Sequence, residues 1–115
     1  MIVAEPARGE VWNVNLDPTK GREQRGTRPA LVVSQNSFNR GAAGLVVVVP
    51  LTTTFRGIPL HVRIEPPEGG VKTLSFAKIE DVRSISKERL IKRFGSISAE
   101  TLAEISDRLR VLLDL

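Results

Sequence analysis

Apolar residues fall in short strand-like runs along this chain, two of them alternating with polar residues at the two-residue period of a strand, and the C-terminal stretch keeps the helical period. From Gly9 to Leu16, Trp12, Val14 and Leu16 alternate with Asn13 and Asn15, which predicts a strand with one apolar face. Ala30–Ser34 predicts a second strand. Leu45–Val49 is almost wholly β-branched, so it predicts a central strand covered on both faces, with Pro50 ending it. Ile58, Leu60, Val62 and Ile64 alternate with Pro59, His61, Arg63 and Glu65, which predicts a half-exposed strand with His61 on its wet face. Leu74–Val82 reads as the next strand, and its apolar phase shifts midway; a bulge near Ala77–Lys78 would account for that. Ser86–Leu90 can form one helical turn, and Ile91–Gly95 an edge strand guarded by Lys92 and Arg93. Ser98 is a helix cap with Glu100 in the first turn, and Leu102, Ile105, Leu109 and Leu112 then recur at helical spacing.

The connections carry turn chemistry. Residues 1–8, broken by Pro6, read as a loose arm. Asp17-Pro18-Thr19-Lys20-Gly21 opens a loop that runs on to Thr27, long for a link between strands. Gln35–Gly44 is a polar loop, Arg56-Gly57 a turn, and Pro66–Gly70 another. Five or six short strands followed by one amphipathic helix predict a mainly β fold, a small bent barrel-like sheet closed by a helix. With 115 residues, a single domain over 1–115 is expected. Leu45–Val49 and the Leu102–Leu112 stripe suggest more apolar surface than such a barrel needs, and therefore a homodimer.

Composition narrows the chemistry. The chain has no cysteine and one histidine, His61, which removes disulfides, thiol catalysis, a zinc site of His and Cys, and a His-pair acid/base mechanism. Lys plus Arg number 17 against 13 Asp plus Glu, for a net charge of +4, so an anionic partner is favoured, nucleic acid or an acidic protein. No apolar run approaches the length of a membrane span and no signal segment opens the chain, so a cytoplasmic protein without membrane association is expected. No glycine-rich phosphate cradle precedes a helix, and no loop shows a matched carboxylate pair.

What remains is an anion-directed site centred on Glu23-Gln24-Arg25-Gly26-Thr27-Arg28-Pro29. Pro29 restricts Arg28 to an extended backbone, and an arginine so placed offers its fork of donors to a phosphate or a carboxylate. The same stretch is also compatible with an ordinary surface loop bearing an ion pair. Thr52 or Thr53, just after the most apolar strand, supplies a hydroxyl, and Glu23 an acceptor for a proton. Those groups suit phosphodiester cleavage by an internal 2′-hydroxyl, where the nucleophile belongs to RNA and the protein orients, neutralises and moves a proton. Phe55 could stack a base or fill the core.

Taken together, Gly9-Glu10-Val11-Trp12, Leu16-Asp17-Pro18, the run from Gly21 to Ser34, Pro50-Leu51-Thr52-Thr53 and Ser84–Leu90 resemble the MazF/PemK (Kid) family of toxin endoribonucleases, over nearly the whole chain. The resemblance implies an SH3-like barrel shared with CcdB and a symmetric homodimer. It implies cofactor-free, metal-independent cleavage of single-stranded RNA at short sequences, and an acidic, MazE-like antitoxin that neutralises the toxin. It makes Arg28 and Thr52 the catalytic pair, with Glu23 the acidic loop position. Gln24, Arg25, Thr53, Phe55, Lys78 and Glu80 fall at positions facing RNA; Lys78 stands where some relatives carry arginine. Two other readings share the barrel: a non-catalytic CcdB-like poison of a protein target such as a gyrase, and an RNA-binding barrel without catalysis. The Arg28-Pro29 step and Thr52 favour the nuclease, since a pure binder has no need of them.

Overall fold

The computed structural model describes residues 5–115. Seven antiparallel strands, β1 (Glu10–Asn15), β2 (Thr27–Val32), β3 (Leu45–Thr52), β4 (Val62–Ile64), β5 (Ser75–Ala77), β6 (Arg83–Ser86) and β7 (Leu90–Ser96), are joined by turns and loops, with a one-turn helix α1 (Asn36–Asn39) and a long C-terminal helix α2 (Ala99–Leu113). The strands run in the order β4-β5-β3-β2-β1-β7, and β6 also pairs with β3. This is the mainly β, barrel-like sheet with a packed helix that the hydrophobic pattern predicts. Among the described residues, no helix is long and apolar enough to cross a membrane.

The two-residue period explains why β2 and β3 lie at the centre. On β2, Ala30 and Val32 enter one apolar cluster while Leu31 enters the other. On β3, Val46 and Val48 enter the first, while Val49 and Leu51 enter the second. Burial on both faces is what a continuous β-branched run requires. β1 contributes Val14 and Leu16, with Trp12 packed beside them, to one cluster and Val11 to the other.

β3 does not end at Pro50 but continues to Thr52. Its first half pairs with β6 up to Val48–Arg83, and its end pairs with β5 from Leu51–Ala77. Pro50 sits in the gap between these two ladders. Its carbonyl accepts from the Lys78 N–H at 2.9 Å, so its nitrogen points into the same gap, where no ladder donor is missed. The expected strand over Leu74–Val82 is a strand only at Ser75–Ala77, and the next strand, β6, begins beyond it at Arg83. The phase shift is real, but it marks a full 3₁₀ turn at Ile79–Asp81 rather than a bulge. The alternation from Ile58 overstates β4, which begins only at Val62, because the His61 N–H closes a turn onto the Ile58 carbonyl. The turn expected over Ser86–Leu90 is present as a 3₁₀ turn at Lys87–Arg89, started by the Ser86 side chain accepting from the Glu88 N–H. α1 occupies part of the expected Gln35–Gly44 loop.

Residues 1–4 of the expected arm lie outside the described residues. Residues 5–8 are not loose: Pro6 is buried, and Arg8 donates through its guanidinium to the Val33 carbonyl and to Ser106 Oγ on α2. The apolar surplus also lies elsewhere than expected. Within Leu45–Val49 only Leu45 is exposed, and on α2 Ile105 is buried with Leu109 and Leu112 packed against it. Among the described residues, the large exposed apolar side chains are Phe38, Leu45, Phe55, Ile91, Phe94, Val111, Leu113 and Leu115. β7 stands at the sheet edge with Lys92 and Arg93 exposed, as an edge strand should. A 3₁₀ turn at Glu68–Gly70 packs against it, and only glycine suits this approach: Gly70 has φ +74°, and a Cβ there would collide with the Phe94 carbonyl.

The same turn anchors α2. Ser98 caps the helix, its Oγ accepting from the Thr101 N–H at 3.1 Å, and Glu68 Oε2 accepts from the Ser98 N–H at 2.9 Å. Burial works to raise the Glu68 carboxyl, but hydrogen bonds from Thr101 and Ser98 outweigh it and hold the group below the usual 4.5. A carboxylate depressed in the fold adds stability above its unfolded value, and that stability is lost as pH falls through the folded value. Glu68→Gln is therefore expected to lower stability by about 0.5 kcal/mol at neutral pH. The deficit should shrink as the pH drops below about 4.5. Thermal melts of both proteins across that range check this, and a pH-independent deficit would assign Glu68 a packing role only.

Candidate active site

The β2–β3 register builds the site. Ala30 lies opposite Pro50 and Leu31 opposite Val49. Continued by two residues, this register sets Arg28 opposite Thr52, on the face that carries Ala30 and Val48 deeper in the sheet. Arg28 is exposed at the start of β2, while Thr52 is buried at the end of β3. The hydroxyl oxygen of Thr52 accepts from the Thr54 N–H at 3.2 Å, which leaves its own proton available to donate. Arg28 Nε donates to the Arg25 carbonyl at 3.1 Å, which aims the guanidinium; among the described residues its terminal nitrogens have no protein partner.

The loop between β1 and β2 is tied at its base and again at its tip. At the base, Leu16 N–H donates to the Gly26 carbonyl at 2.9 Å and Asp17 Oδ1 accepts from the Gly26 N–H at 3.0 Å. Gly26 has φ +79°, a conformation that favours glycine and lets the chain turn into β2 directly before Arg28. The Arg89 guanidinium also donates to the Asn15 and Asp17 carbonyls. Further out, Asp81 Oδ2 accepts from the Gln24 N–H at 2.7 Å, Arg83 donates to the Gln24 carbonyl at 2.8 Å, and Lys78 Nζ donates to the Arg22 carbonyl at 2.6 Å. Glu23 Oε1 accepts from the Lys20 N–H at 2.6 Å, so this carboxylate shapes the loop as well as facing the cleft.

These elements enclose an open cleft of about 720 Å³. Arg28, Thr52, Glu23, Gln24, Arg25, Thr53, Lys78 and Glu80 all line it, so the fold brings together all but one of the residues singled out from the sequence. Arg22, Arg56, Thr54, Ile58 and Asp81 line it too and were not singled out. Arg22, Arg25, Arg28, Arg56 and Lys78 give five positive charges against Glu23, Glu80 and Asp81, and Asp81 is already paired with Arg83 at 2.8 Å. The cleft is thus cationic. Arg56 could have been suspected from its position just after the threonine run; nothing in the sequence marks Asp81, whose role depends on a loop far away in the chain.

Phe55 lies outside the cleft. It is 73% exposed and borders an adjoining depression of about 180 Å³, its ring centroid 5.4 Å from that of Phe76. Core filling is therefore not its role. The expectation for His61 is overturned: its side chain is only 4% exposed and its Nε2 lies 2.9 and 3.0 Å from the two oxygens of Glu80. The alternation that placed it on a wet strand face fails because it precedes β4 and leaves a turn.

Comparison with known proteins fits this geometry. Residues 7–113 match the family described as PemK-like, MazF-like toxin of type II toxin–antitoxin system. The chain belongs to this family. It is 38% identical to endoribonuclease MazF9 of Mycobacterium tuberculosis, over 94% of this chain and 96% of that protein. Its fold superposes on the crystal structure of MazF from Deinococcus radiodurans with a TM-score of 0.85 at 31% identity, covering 97% of this chain and 99% of that one. A MazE–MazF structure from the same organism aligns with a TM-score of 0.78, again at 31% identity, over 97% and 98% of the two chains. By family and relatives, this PemK/MazF-type protein is an endoribonuclease toxin of a type II toxin–antitoxin system.

The loop anchor can be tested apart from chemistry. The Asp81 and Arg83 side chains are 9% and 16% exposed, and Arg83 Nε is buried without a partner. Asp81→Ala strips a buried cation of its counter-charge and is expected to cost about 3 kcal/mol of folding stability. It should also speed hydrogen exchange at the Gln24 amide. Unchanged protection at Gln24 would show that Lys78 and the loop base hold the loop without Asp81.

Proposed function

We propose that residues 1–115 act as one toxin domain that cleaves single-stranded RNA at short specific sequences, without a metal ion or other cofactor, using the RNA's own 2′-hydroxyl. The observation that carries this reading is the presence of Arg28 and Thr52 together in the lining of one cleft that holds five cationic side chains. The 2′-oxygen attacks the adjacent phosphorus as a carboxylate takes its proton, the bond to the 5′-oxygen breaks, and the departing 5′-oxygen takes up a proton from water. The products carry a 2′,3′-cyclic phosphate and a 5′-hydroxyl. Arg28 strengthens its hydrogen bonds as charge grows on the phosphoryl oxygens. The Thr52 hydroxyl donates to one of those oxygens, and Glu23, through the oxygen not held by Lys20, receives the proton. Gln24, Arg25, Thr53, Lys78 and Glu80 contact the flanking RNA from the cleft wall, and Phe55 stacks a base at the neighbouring depression.

The protein works in the cytoplasm as a homodimer. An acidic antitoxin inhibits it by covering the cationic cleft; the MazE–MazF structures of Deinococcus radiodurans and the +4 charge support that partner. A CcdB-like poison would not require an arginine aimed beside a hydroxyl, which is why the nuclease is preferred.

Arg28→Ala is expected to fold and to bind RNA nearly as well as the parent, since one phosphate contact among several is a small share of affinity. Its cleavage rate should fall by about a hundred- to a thousandfold, the usual cost of one preorganised donor to a developing charge. Arg28→Lys keeps the charge but not the fork and should recover only part of this. Thr52→Ala should lose less. Single-turnover cleavage in EDTA, with analysis of product ends, checks all of these. An Arg28→Ala rate within about threefold of the parent would remove Arg28 from the chemistry; 5′-phosphate products, or activity that returns only with magnesium, would replace the 2′-hydroxyl with water.

A further inference from the structure

The single histidine is the most unusual side chain outside the reacting pair. It is nearly wholly buried, yet its two nitrogens are treated differently: Nε2 faces both oxygens of Glu80, while Nδ1 is buried with no partner. Glu80 itself is 34% exposed and lines the cleft with Arg28 and Thr52. We propose that His61 is a positioning residue. Its Nε2–H holds the Glu80 carboxylate at a fixed place in the cleft, where Glu80 accepts a hydrogen bond from a hydroxyl or amino group of the RNA beside the scissile phosphate. The inference rests on the endoribonuclease reading above.

Both partners are set on fixed backbone. The His61 N–H closes a turn on the Ile58 carbonyl, and Val62 immediately enters the β4–β5 ladder opposite Ala77. Glu80 lies inside the Ile79–Asp81 turn, closed by the Val82 N–H on the Ile79 carbonyl. The imidazole borders the depression lined also by Phe55, Ile58, Arg63 and Phe76, while its partner Glu80 lines the cationic cleft. An unfilled lone pair at a buried Nδ1 is less costly than an unpartnered N–H there, which favours the tautomer carrying its proton on Nε2. In that tautomer the Nε2–H lies between the two Glu80 oxygens, and each oxygen keeps lone-pair capacity for a donor in the cleft that Glu80 lines. Without His61, a carboxylate that shares the cleft with Arg22, Arg56 and Lys78 would be free to swing toward one of them.

The test combines a spectroscopic signature with a mutant cycle on the full chain. Ring nitrogen NMR of the free protein should show His61 protonated at Nε2 and not at Nδ1, with the Nε2 signal shifted in Glu80→Gln. Cleavage of a kilobase-length transcribed RNA is then followed at limiting RNA. His61→Leu should slow it about tenfold, since a misplaced reacting or binding group of this kind costs up to about a hundredfold. His61→Gln, which places an N–H near the same point, should restore most of the loss. In the Glu80→Gln background, His61→Leu should change the rate by less than about twofold, because the two act as one unit. Equal losses in both backgrounds, or full activity in His61→Leu, would overturn the proposal. A parent protein that leaves the RNA intact would overturn the nuclease reading, while an Nδ1-protonated ring or a signal indifferent to Glu80→Gln would overturn the contact itself whatever the activity.

Discussion

The antiparallel register between β2 and β3 is the constraint on which the rest of the molecule depends. Both strands are buried on two faces, so a slip by one residue would send Leu31, Val49 and Leu51 into the wrong cluster and Val32, Val46 and Val48 into the other. The same slip would also part Arg28 from Thr52, which the register sets opposite each other beyond Ala30 and Pro50. The site is therefore placed by the core and not by the loop that surrounds it. A polar pair at the mouth of a doubly buried ladder inherits the ladder's precision, with Thr52 buried and Arg28 exposed to the cleft.

Two prolines work with that register. Pro29 keeps Arg28 extended at the point where β2 begins, and Asn13 of β1 faces Pro29 across the other ladder. Pro50 sits where β3 changes partner from β6 to β5, a place with no ladder hydrogen bond to lose. Between β5 and β6, the two partners of β3, the Ile79–Asp81 turn carries Glu80 and Asp81, with Lys78 before it, to the rim of the cleft. A strand that ended at Pro50 would leave the cleft with no second wall.

Much of this was legible in the chain and some was not, for identifiable physical reasons. The central strand, the capped helix and the edge strand follow from period and caps, which are local signals. The Arg28-Pro29 step, Glu23 and Thr52 could be picked out because residue type and neighbour suffice to suggest their chemistry. Pro50 misled because its effect depends on which side of β3 has a partner, a tertiary fact. His61 misled because alternation was extended through Pro59 into a turn, and alternation says nothing of burial once the strand has ended. Asp81 was invisible because its partners, Gln24 and Arg83, include a backbone amide more than fifty residues away in the chain, as the separation of 57 shows. Long-range contacts to backbone carry no side-chain pattern at the distant position.

The division of labour among the charges in the cleft follows from their tethers. Lys78 and Arg83 spend donors on loop carbonyls, and Asp81 accepts a loop amide, so these charges hold the loop as well as colouring the field. Arg28 spends only Nε on a carbonyl, which fixes its direction and leaves its outer edge for an anion. Glu80 is restrained from behind by a buried imidazole, an arrangement that keeps a carboxylate from collapsing onto its cationic neighbours. A cleft full of mobile arginines and glutamates would neutralise itself through internal ion pairs before RNA arrived. Here, among the described residues, only Asp81 of the three cleft carboxylates is paired with an arginine or lysine, and Glu23 and Glu80 are held by a backbone amide and one histidine, so the field of the cleft remains available to a phosphate.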